Sequence, residues 1–268
     1  MSQLRHAEYT YQLRRYIYKV RNELKAGWSE NIYHQALART LQEHGVPVLS
    51  KQRRPLLHHG VEVHCFEPDL IAWDTIVLEL KALAYQAQFA GEHYAQMIHY
   101  LKFLGKDLGL LVNFAPSPVQ IKRVVWNEPK LVITEDYDEF KTGLSSNDRE
   151  YLLQIRHCLL AIAQQYGLGY PETMYRKLAA IELVQNNISC VSEIEVPALW
   201  NGSLLAYHKT QHLLIGNNYL LHVRSLLEQV TNYDFTQTRT LLAALGLKYG
   251  VIINFGYQQV QIHGIKTK

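Results

Sequence analysis

The chain of 268 residues contains an internal repeat, and this repeat constrains the fold more than any other feature. Three segments of the first half recur in the second half in the same order, at offsets of 142, 143 and 141 residues: 27–33 with 169–175, 78–83 with 221–226, and 109–114 with 250–255. Offsets this similar leave room for only small insertions between the copies. The sequence therefore predicts two copies of one domain in tandem.

The distribution of charge supports two domains and a connection. Residues 1–126 carry 15 Lys or Arg and 11 Asp or Glu, and residues 151–268 carry 9 and 6, so both segments are mildly basic. Residues 127–150 carry 3 and 7. We therefore predict a first domain at 1–126, an acidic, solvated and partly ordered connection at 127–150, and a second domain at 151–268.

In the first copy, β-rich residues predict a hairpin with a tight turn. The strands are expected at residues 61–71 and 76–83, and residues 73–75 would form the loop between them. With a loop of that length, Ala72 faces Ile76 across the antiparallel pair. An error of one residue in the loop would change the partner of every side chain.

This register brings three charged side chains together. Asp69 then lies opposite Glu79, and directly opposed Cβ atoms are about 4.5–5.5 Å apart. Lys81 shares a face of its strand with Glu79, because the two are two residues apart. Two carboxylates that close repel each other unless a cation lies between them. The alternative is an ordinary surface hairpin with a charge pair across its strands.

The chemistry of this set suits phosphodiester hydrolysis. Carboxylate oxygens suit Mg²⁺ or Mn²⁺, and Mg²⁺ commonly keeps several waters with only one or two protein carboxylates. A bound ion lowers the pKa of water and stabilises charge on phosphate oxygens. A neighbouring lysine can neutralise charge that develops in the transition state.

Two helices are predicted to contribute further polar groups. Glu30 follows Ser29, a candidate N-cap, and a carboxylate is favourable in the first turn of a helix. Gln96 and Tyr100 are four residues apart on one face of a predicted helix at 88–104. Each observation also has a simpler structural interpretation: a helix cap for Glu30, and a solvated face with a packed aromatic for the other two.

Taken together, these motifs resemble a known family. Gly27-x-x-Glu30-x-x-Tyr33, Pro68-Asp69-Leu70, Glu79-Leu80-Lys81 and Gln96-x-x-x-Tyr100 occur in that order. The chain resembles the GxxExxY proteins, a branch of the PD-(D/E)XK nuclease superfamily. The last motif is similar to the QxxxY motif of its exonuclease-like members. The resemblance covers about residues 5–126.

The resemblance implies both a fold and an activity. The fold would be α/β, with two tandem restriction-endonuclease-like domains, each a mixed sheet of about four to five strands flanked by helices. The activity would be that of a Mg²⁺- or Mn²⁺-dependent nuclease, acting on DNA more readily than on RNA. Glu30, Asp69 and Glu79 would bind metal, Lys81 would be the catalytic lysine, and Gln96 and Tyr100 would support the site. The alternative is a non-catalytic nucleic-acid-binding or scaffold protein that keeps the fold.

The second copy differs where this chemistry would lie. His212, His222 and Arg224 align with Asp69, Glu79 and Lys81, and Leu241 replaces Tyr100, whereas Glu172 and Gln237 keep the residue types of Glu30 and Gln96. We expect a degenerate, inactive copy. A softer ion such as Zn²⁺ on the two histidines and Glu172 is the alternative.

Basic residues offer candidate contacts to nucleic-acid phosphates, although each is equally well explained as a solvated surface residue. The candidates are Lys51, Arg53, Arg54, Lys102, Lys106, Lys122 and Arg123. A net charge of +4 on residues 1–126 is too small to establish DNA binding by itself.

Location and assembly are predicted from what the sequence lacks and from the repeat. A stretch of about 18 apolar residues is absent, so we predict no membrane span. The first residues lack the apolar core of a secretory signal, and three scattered cysteines indicate reduced thiols in the cytoplasm. Two related domains on one chain suggest an intramolecular pseudo-dimer.

Overall fold

A computed structural model describes residues 4–84 and 88–267 of the protein. The backbone divides into two compact units, Met1–Pro55 with Cys65–Glu128, and Leu56–His64 with Pro129–Lys268. The segment Leu56–His64 therefore belongs to the second unit although it lies in the first half of the sequence.

The first half of the chain forms a five-stranded sheet, a separate hairpin and three helices. In chain order the elements are α1 (Ala7–Leu24), α2 (Glu30–Glu43), β1 (Val48–Ser50), β2 (Arg54–His58), β3 (Val61–Phe66), β4 (Leu70–Ala72), β5 (Ile76–Lys81), α3 (Gly91–Leu104), β6 (Leu108–Asn113) and β7 (Gln120–Val125). The strand order is β1-β4-β5-β6-β7, with β5 and β6 parallel and the other neighbours antiparallel. Strands β2 and β3 pair only with each other among the described residues.

The core of the first unit determines which face of β5 carries the charged residues. Leu78 and Leu80 are fully buried against α1 and α2, in a cluster with Ile17 and Leu37. Because side chains alternate along a strand, Glu79 points to the opposite face, on which α3 packs. Helices α1 and α2 therefore cover the apolar face of the sheet, and the charged side chain of Glu79 lies on the face that α3 covers.

The second half repeats this arrangement. In chain order its elements are β8 (Ile133–Asp136), a 3₁₀ helix (Asp138–Phe140), α4 (Ser146–Tyr166), α5 (Glu172–Gln185), β9 (Cys190–Val191), β10 (Glu195–Trp200), β11 (Ser203–Lys209), β12 (Leu213–Ile215), β13 (Tyr219–Arg224), α6 (Asn232–Ala244), β14 (Tyr249–Phe255) and β15 (Val260–Lys266). The sheet order is β8-β15-β14-β13-β12-β9, and β13 and β14 are parallel, like β5 and β6. The predicted fold class, mixed sheets flanked by helices in two copies, is confirmed.

One predicted strand is interrupted. The strand expected at 61–71 is divided into β3 and β4, because Pro68 has no N–H to continue a ladder. Strands β1 and β2, separated by only three residues, also belong to different sheets. In the second copy, β9 and β10 are separate strands, as are β11 and β12.

The acidic segment 127–150 is more ordered than a solvated connection would be. Strand β8 pairs in parallel with β15 and extends the second sheet to six strands. The buried ring of Phe140 lies where a Cβ on Gly264 would be, so this position of β15 requires glycine for the close approach. Most of the segment is therefore part of the second unit.

Within residues 4–84 and 88–267, no helix combines the length and the hydropathy that a membrane crossing needs.

Candidate functional site

The turn between β4 and β5 has the predicted length and register. Ala72 pairs with Ile76 across the ladder, and the Thr75 amide donates to the Ala72 carbonyl at 2.9 Å. Trp73 and Asp74 complete the turn with positive φ angles of 51° and 49°. The predicted pairing of Ala72 with Ile76 is confirmed, and it brings the residue before β4 level with the middle of β5.

The residue before β4 is Asp69, and two backbone amides hold it by hydrogen bonds. Its carbonyl accepts a hydrogen bond from the Lys51 amide at 2.9 Å. Its carboxylate Oδ2 accepts from the Leu80 amide at 2.8 Å. The side chains of Asp69 and Glu79 are both buried. The irregular segment between β3 and β4 therefore presents a fixed carboxylate beside the one on β5.

Glu79 has one oxygen paired and one oxygen open. The Lys81 ammonium donates to Glu79 Oε1 at 2.6 Å, and it lies 3.9 Å from Glu30 Oε2. The other oxygen, Oε2, is buried and has no hydrogen-bond partner among the described residues. Burial, and after it the charge of Asp69, raises the pKa of Glu79 to about 7. A buried carboxylate in this position gains from a cation placed against its open oxygen.

Lys81 remains charged in this setting. Burial alone would lower its pKa, but the carboxylates of Glu79 and Glu30 outweigh burial and raise it. The ammonium therefore supplies one positive charge among three carboxylates, counting Asp69. The net negative charge that remains matches the demand of a divalent ion.

The Gly-x-x-Glu-x-x-Tyr motif positions Glu30 at the start of α2. The carbonyl of the N-cap residue Ser29 accepts from the amide of Tyr33 at 3.4 Å. The Tyr33 ring is fully buried and stacks on Phe114 at 4.5 Å, while its hydroxyl donates to the Lys25 carbonyl at 2.7 Å. Tyr33 thus anchors the first turn of α2, and burial raises the pKa of the Glu30 carboxyl there.

Gln96 and Tyr100 support the segment that carries Asp69. The Gln96 amide donates to the Tyr100 hydroxyl at 2.9 Å, and that hydroxyl donates to the Glu67 carbonyl at 3.2 Å. Burial, and then the charge of Glu79, raises the pKa of Tyr100, which keeps its hydroxyl protonated as a donor. These contacts describe a positioning pair, because Glu67 lies two residues before Asp69.

A second contact to this segment was missed from the sequence. Buried His34 on α2 has its Nε2 3.1 Å from the Asp69 carbonyl and 3.1 Å from the Ser50 hydroxyl. The sequence could have indicated this contact, because His34 directly follows the tyrosine of the motif. The imidazole links α2, β1 and the carboxylate-bearing segment.

Oxygen ligands of this kind fit Mg²⁺ or Mn²⁺. Within the described part of the chain, Glu30, Asp69 and Glu79 do not form a three-ligand group whose atoms all lie within 4.8 Å of one another. A pair of carboxylates is nevertheless enough for an ion that keeps most of its waters. Asp69 and Glu79 would be the direct ligands, and Glu30 would act through water.

Five of the basic residues proposed as phosphate contacts fall into two groups. Lys102 lies over the Trp126 ring at 5.7 Å, and burial lowers its pKa to about 7, which makes it a poor phosphate contact. Lys106 pairs with Asp74 at 3.0 Å. Lys51 and Arg53 are exposed, and Arg54, whose guanidinium donates to Gln52 at 2.8 Å, is half-buried.

In the second unit, the two histidines that align with Asp69 and Glu79 are uncharged and pack against each other. The rings of His212 and His222 stack with centroids 3.9 Å apart, and the Thr238 hydroxyl lies 3.4 Å from one and 3.1 Å from the other. Burial, and then His222, lowers the pKa of His212 to about 2, whereas burial, and then Arg224, lowers the pKa of His222 to about 4. Neither imidazole carries a charge at neutral pH.

Arg224 replaces the lysine and brings its own counterions. It donates to Glu172 Oε2 at 2.7 Å, and its Nε lies 3.0 Å from Oδ1 of Asp234, which is almost fully buried. Sequence reasoning missed Asp234, although the capping-box spacing from Thr231 marks it. Gln237, half-buried on α6, lies at the position equivalent to Gln96.

The alternative of a zinc ion on Glu172, His212 and His222 lacks support. Among the described residues these three do not form a ligand group, and the Glu172 carboxylate is already paired with Arg224. Arg176 also lies 3.9 Å from Glu172, and because both guanidinium groups are permanent cations, the two carboxylates of this site are neutralised from within.

The comparisons with known proteins agree with the duplicated fold. Two segments of the chain, 7–124 and 149–266, match the PD-(D/E)XK nuclease superfamily. The matches span most of the sequence, so the chain belongs to this superfamily and carries two tandem copies of its domain. No curated protein matches the chain. A solved structure titled "Crystal structure of SSO0001" is similar over 52% of this chain and 69% of that one, at 17% identity and a TM-score of 0.30, too low to add to the assignment.

Proposed function

We propose that the protein is a metal-dependent nuclease that hydrolyses phosphodiester bonds in DNA at the first repeat, with Mg²⁺ or Mn²⁺ as cofactor. The observation that carries the proposal is the buried, unpaired Oε2 of Glu79, held beside Asp69 and next to Lys81. This arrangement leaves negative charge uncompensated in a buried place, where a divalent cation would be stabilised.

Each residue has a distinct role in this proposal. A bound divalent ion would polarise a water molecule and the phosphate oxygens. Asp69 and Glu79 would hold it, and Glu30 would act through a bound water. Lys81, fixed by Glu79 and Glu30, stabilises the charge that develops on the scissile phosphate. Gln96 and Tyr100 act as positioning residues through the Glu67 carbonyl.

The second repeat serves as a structural or nucleic-acid-binding partner in this proposal. Its carboxylates Glu172 and Asp234 are balanced by the guanidinium groups of Arg224 and Arg176, and neutral histidines occupy the positions of the metal-binding carboxylates. A site neutralised in this way needs no metal to be stable. Lys51, Arg53 and Arg54 are the basic candidates for contacts to the nucleic-acid backbone.

Several finer features belong to the same proposal. Membership of the GxxExxY branch rests on the order of its motifs. The preference for DNA over RNA, a cytoplasmic location and an intramolecular pseudo-dimer of the two repeats stay predictions. The mild basicity of residues 1–126 is the charge observation that favours a nucleic-acid substrate.

The test is cleavage of single- and double-stranded DNA, linear and circular, and of RNA, with Mg²⁺ or Mn²⁺. Asp69→Asn and Lys81→Ala should each lower the rate by about 10²-fold or more. Asp74→Asn, an exposed carboxylate in the adjoining turn, is the matched control and should cleave normally.

Two outcomes would count against the proposal. Cleavage that survives both substitutions would place the activity elsewhere. No cleavage of any substrate, with nucleic-acid binding unchanged in the variants, would favour a binding or scaffold protein instead. Circular DNA decides whether ends are required, because an exonuclease leaves it intact.

A further inference from the structure

The second unit contains a group of metal-binding side chains away from both repeated sites. His58 ends β2, and His59 with Gly60 forms the two-residue turn to β3. Both turn residues have positive φ, 47° and 80°, as a tight hairpin turn of the type I′ kind requires. The turn directs His59 to Glu182 of α5, which the adjacent His58 also contacts.

Three ligand atoms converge at this turn. Nε2 of His58 and Nε2 of His59 lie 2.9 Å and 2.8 Å from the same oxygen, Oε2 of Glu182. All three atoms lie within 4.8 Å of one another, and in the described residues this is the one His, Cys, Asp and Glu group that meets this condition. Tetrahedral ligands bound at 2.0–2.1 Å are about 3.3 Å apart, so each imidazole nitrogen must move only roughly half an ångström away from the carboxylate oxygen to admit an ion.

An unsatisfied nitrogen is the second observation that points to a ligand. Nε2 of His58 is buried and, within the part of the chain that is described, makes no hydrogen bond despite the nearby carboxylate. The other ring nitrogen, Nδ1, lies 2.8 Å from the Tyr166 hydroxyl. A cation that replaces the proton at Nε2 would join this nitrogen to the Glu182 carboxylate, and Nδ1 would then carry the ring proton and donate it to the Tyr166 hydroxyl.

The second ring nitrogen of His58 has a fixed partner in the Tyr166 hydroxyl. A neutral imidazole whose second nitrogen donates to a fixed acceptor is the arrangement that metal-binding histidines commonly have. Tyr166 supplies that fixed acceptor here.

We propose that His58, His59 and Glu182 bind Zn²⁺. Two imidazoles and one carboxylate are a known zinc ligand set, and a fourth position stays open for water. This site differs from the carboxylate site of the first repeat in its donors, because nitrogen ligands disfavour Mg²⁺. The ion would fix the hairpin turn to α5.

The test is Zn²⁺ binding to the full chain with any affinity tag removed, measured by calorimetry. One Zn²⁺ per chain is expected, and millimolar Mg²⁺ should not displace it. His59→Ala removes an exposed ligand and should weaken binding at least tenfold, as should Glu182→Gln. His64→Ala, on the exposed side of the same hairpin, is the matched control and should bind as the unaltered protein does.

X-ray absorption of the zinc-loaded protein gives an independent test. Two imidazole ligands and no sulfur are expected in the first coordination sphere. The proposal is overturned if His59→Ala binds Zn²⁺ normally, if His64→Ala loses as much affinity, or if sulfur scattering assigns the ion to cysteine. Circular dichroism of each variant separates loss of a ligand from loss of fold.

Discussion

Replacing Glu79 with glutamine should stabilise the metal-free protein at alkaline pH. Burial and then Asp69 raise the pKa of Glu79 from 4.5 to about 7. The folded state therefore binds more protons than the unfolded state between these values, and stability falls as pH rises through this range. At about 1.4 kcal/mol per pKa unit, the raised pKa of Glu79 costs the folded protein about 1 kcal/mol at pH 5.5 and about 3 kcal/mol at pH 8, relative to acid pH.

The assay is urea unfolding of the unaltered protein and Glu79→Gln in EDTA at the two pH values. The advantage of the variant should grow by about 2 kcal/mol from pH 5.5 to pH 8, because titrating groups that do not interact with Glu79 cancel in the difference. Glutamine keeps an acceptor for Lys81. Asp74→Asn is the control and should show no such growth. A difference that stays constant with pH would refute the reasoning, since Lys81 would then already compensate the charge.

Two further predictions concern the second unit. Arg224→Met leaves the buried carboxylate of Asp234 without its cation and should lower the free energy of unfolding by about 2–4 kcal/mol. Adding Asp234→Asn should recover part of the loss. An unchanged stability of Arg224→Met would contradict the role of Arg224. Gly264→Ala would place a Cβ 2.6 Å from the Phe140 ring. It should therefore cost about 1–3 kcal/mol in thermal unfolding, whereas an unchanged melting temperature would show that the 3₁₀ helix does not pack on β15.

The geometry of the first site was predictable where local rules determine it. The pairing of Ala72 with Ile76 follows from a short turn, and the period of two along β5 then puts Glu79 and Lys81 on one face. The break at Pro68 was also signalled, because proline cannot donate to a ladder, but the surrounding alternation favoured one long strand. The local sequence pattern thus predicts the strand register more accurately than it predicts where the strands end.

The contacts that were missed depend on packing between distant segments. His58 and Glu182 are far apart in the sequence, and only the folded second unit brings them together. Strand β8 lies in an acidic stretch that local composition describes as solvated, yet it pairs with β15. Asp234 differs from these two examples. Its spacing from Thr231 indicates a capping box, and only its ion pair with Arg224 could not be predicted from local sequence.

The most direct test of the central claim is the number of Mn²⁺ ions that the protein binds in competition with Mg²⁺, measured by electron paramagnetic resonance. One Mg²⁺-competable Mn²⁺ per chain is predicted, lost in Asp69→Asn and kept in His212→Asn, the matched position of the second repeat. Binding that survives Asp69→Asn, or that is lost in His212→Asn instead, would contradict the central claim. That claim is a working metal site in the first repeat and, in the second repeat, a site whose carboxylates are neutralised by arginine.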